Sequence, residues 1–97
     1  MTEINQVVKA YRERHNLSLR KFADQINQHL INTDVTHQTV SRWESQEKPA
    51  EPDMRLLFEC VATYTDWRAH FAVDCLRSMF PDLFTSGIVV INLPTAE

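Results

Sequence analysis

Residues 35–44 read V-T-H-Q-T-V-S-R-W-E and set hydrogen-bonding side chains at helical spacing. Thr36 suits an N-cap, because its hydroxyl can accept from the backbone N–H groups that a first helical turn leaves without partners. Val35 before the cap and Val40 four residues after it are spaced as a hydrophobic staple. Val40 and Trp43 then share one side of the helix, and His37, Gln38, Ser41 and Arg42 the other. A glutamine amide matches the paired donor and acceptor of adenine in the major groove, and a guanidinium matches guanine or a phosphate. His37, Gln38 and Arg42 are therefore candidates for base edges, and Thr36, Thr39 and Ser41 for phosphates. Taken alone, the stretch fits equally well an ordinary amphipathic helix with a polar surface.

The charges are unevenly spread. The net charge is −3, which by itself argues mildly against nucleic acid. Yet residues 1–48 carry seven Lys/Arg against six Asp/Glu, and residues 49–97 carry three against seven. Five basic residues and one acid fall between Lys9 and Lys21. A basic patch beside an acidic half fits a protein that turns one face to phosphate. Arg20 and Lys21 follow Ser18, a helix cap, and oppose the helix dipole there. A bound anion would offset that cost; two solvated charges are the plain alternative. Lys48, in the polar loop 45–51, is a further phosphate candidate, or simply a solvated lysine.

The elements that must position these groups are helical. With a single glycine in 97 residues, tight glycine turns between strands have little support. Ile4, Val7, Val8 and Tyr11 recur at i, i+3, i+4, i+7 and predict a helix over 3–15. Ser18 caps the next, with Leu17 and Phe22 as its staple and Phe22, Ala23, Ile26 and Leu30 as its inward stripe. The stretch beginning at Thr36 gives a helix over 37–45. Asp53 caps one over 54–64, with Met54, Leu57, Phe58, Val61 and Tyr64 as its expected core face. Thr65 or Asp66 caps the last, over 66–80, before Pro81. After Gly87 the run I-V-V-I-N-L is uncharged and β-branched, and predicts a strand over 88–93.

Three segments in order, L-S-L-R-K-F-A-D-Q-I, V-T-H-Q-T-V-S-R-W-E and K-P-A-E-P-D-M-R-L-L-F-E-C-V-A, resemble the Cro/cI (Xre-type, lambda-repressor-like) helix-turn-helix family over about residues 4–64. The resemblance implies an all-α, five-helix domain over 1–80, followed by an extension over 81–97. It implies that the third helix reads double-stranded DNA and that the loop holding Lys48 passes near the DNA backbone. Two departures stand out. About seven extra residues lie between Ala23 and Val40, so the second helix either runs on over 19–31 or gives way to a longer loop across 27–34. Leu19 stands where many members place a glutamine that braces the recognition helix and a phosphate.

No metal-ligand spacing, glycine-rich phosphate loop or catalytic grouping of the four histidines is present, so neither a cofactor nor an enzyme is expected. Cys60 and Cys75 fall in apolar helical patterns and read as buried free thiols. No run approaches a membrane span, and the start M-T-E-I-N-Q lacks a basic leader, so a cytoplasmic protein is expected. The apolar stripe holding Trp67 and Phe71 reads first as core and second as a dimer surface. Ile88, Val89, Val90 and Ile91 are the other dimer candidates, because a lone strand needs a partner. The expected function is a sequence-specific, repressor-like transcription regulator that acts as a homodimer. The alternative is a protein-interaction module or antitoxin-like protein on the same fold, with weak or no DNA binding.

Overall fold

The computed structural model describes residues 3–31, 33–87 and Ile91. Among them the chain forms α1 (Ile4–Arg14), α2 (Leu19–Asn27), α3 (His37–Trp43), α4 (Met54–Thr63), α5 (Trp67–Met79) and α6 (Pro81–Thr85). The described residues contain no strand. The short α6 is a sixth helix where five were expected: Pro81 starts a helix instead of only ending the one before, since proline fits the first turn. The strand expected over 88–93 lies outside the described residues except for Ile91, which packs against the core of its own chain.

The first helix ends for a local reason. After α1 the chain reverses at Asn16, whose φ of 55° is in the left-handed region. There the Leu17 N–H donates to the Arg12 carbonyl and the Asn16 N–H to the Glu13 carbonyl, each at 3.0 Å, which is the Schellman way of satisfying a helix end. Ser18 then caps α2 by accepting from the Lys21 N–H at 3.1 Å.

The second helix stops at Asn27 and does not run on to residue 31. Three side chains fix that end. The Tyr64 hydroxyl donates to the Ile26 carbonyl at 2.7 Å and accepts the His29 N–H at 3.0 Å. Arg68, only 8% exposed, donates to the Gln25 carbonyl and to Gln28 Oε1, both at 2.8 Å. Asn27 itself donates to the Val35 carbonyl at 2.7 Å and accepts the Val35 N–H at 2.8 Å. The carbonyls that α2 would otherwise leave unpaired are thus taken by α4 and α5 residues, and the extra residues become a loop closed at its neck.

Tyr64 also sets the rotation of α4. Leu56, Leu57 and Cys60 turn inward with it, whereas Met54 and Phe58, expected in the core, are 42% and 49% exposed. The apolar stripe of α4 lies opposite Arg55, Glu59 and Thr63 and includes Met54 and Phe58; the observed inner face is turned from it toward Leu56 and Cys60, and the buried hydroxyl bond of Tyr64 holds it there.

The central element is α5, whose Ala69, Phe71, Ala72, Cys75 and Leu76 are buried. For Phe71 this corrects the dimer assignment in favour of the core reading; Trp67 packs on the same core and is half-buried. Phe71 is 0% exposed and meets the rings of Tyr11 and Phe22 edge-on, with centroids 5.6 and 5.3 Å away. Trp67 stacks on His15 at 4.5 Å and on Tyr11 at 6.3 Å. Both are spent joining α5 to the first two helices. Cys60 and Cys75 are free and buried, and burial pushes the Cys60 thiol up to about 12.

Tyr64→Phe keeps the ring and removes the hydroxyl, leaving the Ile26 carbonyl without its donor. A loss of about 1–3 kcal/mol is expected in urea denaturation. The Asp66 carboxyl is held below the usual carboxylate range, chiefly by its hydrogen bonds to Arg68. A depressed folded value contributes stability above the unfolded value of about 4 and loses it as pH falls through the folded one. The stability gap between wild type and Asp66→Asn is therefore expected to be full at neutral pH and to close below about pH 4, as measured by melting across pH.

Candidate DNA interface

The recognition stretch forms α3 from His37 to Trp43, seven residues long. Thr36 caps it by accepting the Thr39 N–H at 3.2 Å, and the two threonine hydroxyls lie 3.1 Å apart. Val35, Val40 and Trp43 are buried, so the staple and inner edge face the core. Gln38, Ser41, Arg42 and the cap Thr36 are exposed; His37 and Thr39 are half-buried. So short a helix has too few internal hydrogen bonds to hold itself, and its placement comes from its neighbours.

The strongest of these is Arg12. Its Nε donates to Glu44 Oε2 at 2.6 Å and its Nη2 to Glu44 Oε1 at 3.0 Å. Its remaining arm, Nη1, donates to the Leu17 carbonyl at 3.1 Å. One guanidinium thus ties α1, the turn before α2 and the C-cap of α3. The hydrogen bonds to Glu44 raise the pKa of Arg12. Beyond α3, the Arg42 carbonyl accepts from the Ala50 N–H at 3.0 Å and the Ser45 N–H at 3.3 Å, which folds the following loop back on the helix. Lys48 is exposed on that loop, its N–H 3.4 Å from the Ser45 hydroxyl.

Arg20 and Lys21 are exposed on the first turn of α2. Leu19 beside them is half-buried and packs on the core, so the position that resembles a bracing glutamine is used for burial. The flank of α3 carries a groove of about 410 Å³ in which Thr39 and Arg42 meet Asp34, Glu51, Asp53 and Arg55. Arg20, Lys21 and Lys48 line no part of it. The candidate basic residues are therefore spread around α3, and three carboxylates share the groove with one of them, Arg42.

Sequence reasoning missed Arg12 and Glu44 as a pair. Arg12 reads locally as a cation complementing a helix C-terminus, and its partner lies 32 residues away. The only local sign was the glutamate closing T-V-S-R-W-E. No group of His, Cys, Asp and Glu among the described residues could hold a metal ion, and no helix among them is long and apolar enough to cross a membrane.

Removing one partner of the Arg12–Glu44 pair leaves the other partly buried without its counterion. Glu44→Gln and Arg12→Met are each expected to cost about 1–3 kcal/mol, below the ~3–5 kcal/mol of a fully buried pair, because the two side chains keep 13% and 20% of their exposure. Chemical denaturation checks this, and a cost near zero would show that core packing alone places α3.

Neither the curated proteins nor the solved structures include a match to this chain. A family model described as helix-turn-helix matches residues 8–64, more than half of the chain and the span that holds α2, α3 and the Arg12–Glu44 pair. The chain therefore belongs to the Cro/cI (Xre-type) helix-turn-helix family of DNA-binding transcription regulators.

Proposed function

We propose that the chain is a sequence-specific, repressor-like regulator of transcription that binds double-stranded DNA as a homodimer in the cytoplasm. The observation that carries this reading is the outward face of α3. Its exposed groups are Gln38, Ser41 and Arg42, hydrogen-bonding side chains on a helix whose backbone is fixed at both ends. A fixed helix can present donors and acceptors to base edges without ordering them at the moment of binding.

In this reading His37, Gln38 and Arg42 meet base edges in the major groove. Thr36, Thr39, Ser41, Arg20, Lys21 and Lys48 meet phosphates, which set register and supply most of the sequence-independent affinity. Residues 1–80 do this work, and 81–97 are an extension to it. One short helix reads few base pairs, so a two-fold pair reading half-sites about one DNA turn apart is the natural unit. Repression would follow from occupancy of a promoter.

A second reading is favoured by the groove beside α3. Its carboxylates Asp34, Glu51 and Asp53 repel phosphate and would suit a basic segment of a protein partner. An antitoxin-like protein would use that groove with weak or no DNA binding.

Duplex binding separates the two. Gln38→Ala is expected to lower affinity for the specific site by about 1–3 kcal/mol and to leave random duplex almost unchanged. Equal losses on both duplexes would remove Gln38 from base reading. Arg20→Ala with Lys21→Ala is expected to weaken all duplexes alike and to lower the slope of log affinity against log salt by about two. Titration by fluorescence anisotropy at several salt concentrations measures both effects, and no salt-dependent duplex binding at all would favour the protein-partner reading.

A further inference from the structure

A cleft of about 400 Å³ opens between α1 and α5, on residues that belong neither to α3 nor to the groove beside it. Val7, Ala10, Tyr11 and Arg14 line it from α1, and Asp74 and Arg77 from α5. That volume is in the range of small-molecule pockets, which join an apolar lining to a few polar groups. Tyr11 is the fixed part. It is only 8% exposed, and its hydroxyl donates to Asp74 Oδ2 at 2.5 Å. Burial, and after it Asp74, raise the pKa of Tyr11, so the hydroxyl keeps its proton and donates.

The charges around this bond are not spent on each other. Asp74 and Arg77 are three residues apart on α5, near enough for a surface ion pair. Yet the ion pairs among the described residues are Arg12–Glu44, Arg55–Glu59 and Arg68–Asp66, and neither Asp74, Arg77 nor Arg14 is in one. The Arg77 guanidinium lies instead over the Phe84 ring at 5.4 Å, and that of Arg14 over the Tyr11 ring at 5.1 Å. One carboxylate and two guanidiniums, placed by aromatic rings, thus line one cleft with their opposite charges uncompensated by a direct pair.

A ligand that uses this lining needs an anionic group for a guanidinium, a cationic group for Asp74 and an apolar body for Val7, Ala10 and the Tyr11 ring. A simple anion would be set against Asp74, and a simple cation against two guanidiniums. A zwitterion meets an opposite charge at each end, and charge-assisted hydrogen bonds are the strong ones. An α-amino acid carries both charges and a side chain on one carbon. We propose that the α1–α5 cleft binds a free α-amino acid with an apolar side chain, its ammonium on Asp74 and its carboxylate on Arg77. Tyr11 adjoins Arg12, so the cleft and the clamp on Glu44 share one turn of α1. The site stands apart from the DNA reading, and the duplex experiments can fail and leave it intact.

Titration of the isotope-labelled full chain, followed by two-dimensional NMR, tests it with L-leucine and three compounds that each lack one part. Isocaproate lacks the ammonium, 3-methylbutylamine the carboxylate and glycine the apolar side chain. Leucine is expected to give saturable shifts centred on the amides of residues 7–14 and 74–78, and each of the other three to bind at least about tenfold more weakly. Asp74→Asn keeps an acceptor for the Tyr11 hydroxyl and removes the charge, and Arg77→Met alters an exposed side chain. Both are expected to keep the dispersed spectrum of the folded chain and to lose at least about tenfold in leucine affinity. No saturable shift with leucine in the millimolar range, four compounds that bind alike, or folded variants that bind leucine as wild type does would overturn the proposal.

Discussion

Arg12 holds the structure's working part in place. Its guanidinium spends all three nitrogens, two on the Glu44 carboxylate and one on the Leu17 carbonyl. The planar fork of arginine matches a carboxylate at two points at once, which fixes direction as well as distance. Glu44 is the residue on which α3 ends, and Leu17 is the last residue before the α2 cap. The pair therefore sets the recognition helix relative to the first helix and to the start of the second. Val40 and Trp43 supply the apolar attachment on the same helix. Burial alone is non-directional; the ion pair gives α3 its orientation.

A second set of bonds answers the longer connection between α2 and α3. Extra residues in a loop cost little closure entropy, but they would let α3 drift unless the loop were closed. Asn27 closes it by bonding both backbone groups of Val35, the residue just before the α3 cap. Arg68 lies 3.8 Å over the Tyr64 ring and is paired with Asp66 at 2.7 Å, so the α4–α5 junction grips the end of α2 as a unit. Thr33 bonds Glu59 across the loop at 3.2 Å. The inserted loop is thus tied to α2, to α4 and to the start of the recognition helix.

Much of this was legible in the sequence where the cause is local. Thr36, Ser18 and Asp66 cap the helices that follow them, because a cap is decided within three residues. The stripes of α1, α2 and α3 gave their buried faces for the same reason. The end of α2 was not legible, because the groups that terminate it are Tyr64 and Arg68, some forty residues on in the chain. The rotation of α4 was not legible either: its periodic stripe, opposite Arg55 and Glu59, includes Met54 and Phe58, and the tertiary contacts that turn it, Tyr64 among them, lie outside that pattern. The breadth of the α5 stripe suggested a surface to spare, and three packed aromatic rings account for it instead. Of the candidate interface, the exposed residues of α3 were legible from its spacing, and the carboxylates that share a groove with Arg42, from the loops before and after α3, were not.

On the proposed function, α3 is a reading helix held at both ends on an otherwise acidic chain. Its affinity for phosphate would then rest on a few scattered cations, and discrimination would come from the outward face of α3. The most direct measurement is selection of bound duplexes from a random-sequence pool, run with the native chain and with Gln38→Arg. The account predicts that both enrich a motif and that the two motifs differ at one base pair in each half-site, adenine giving way to guanine. Identical motifs, or no motif for the native chain, would contradict it.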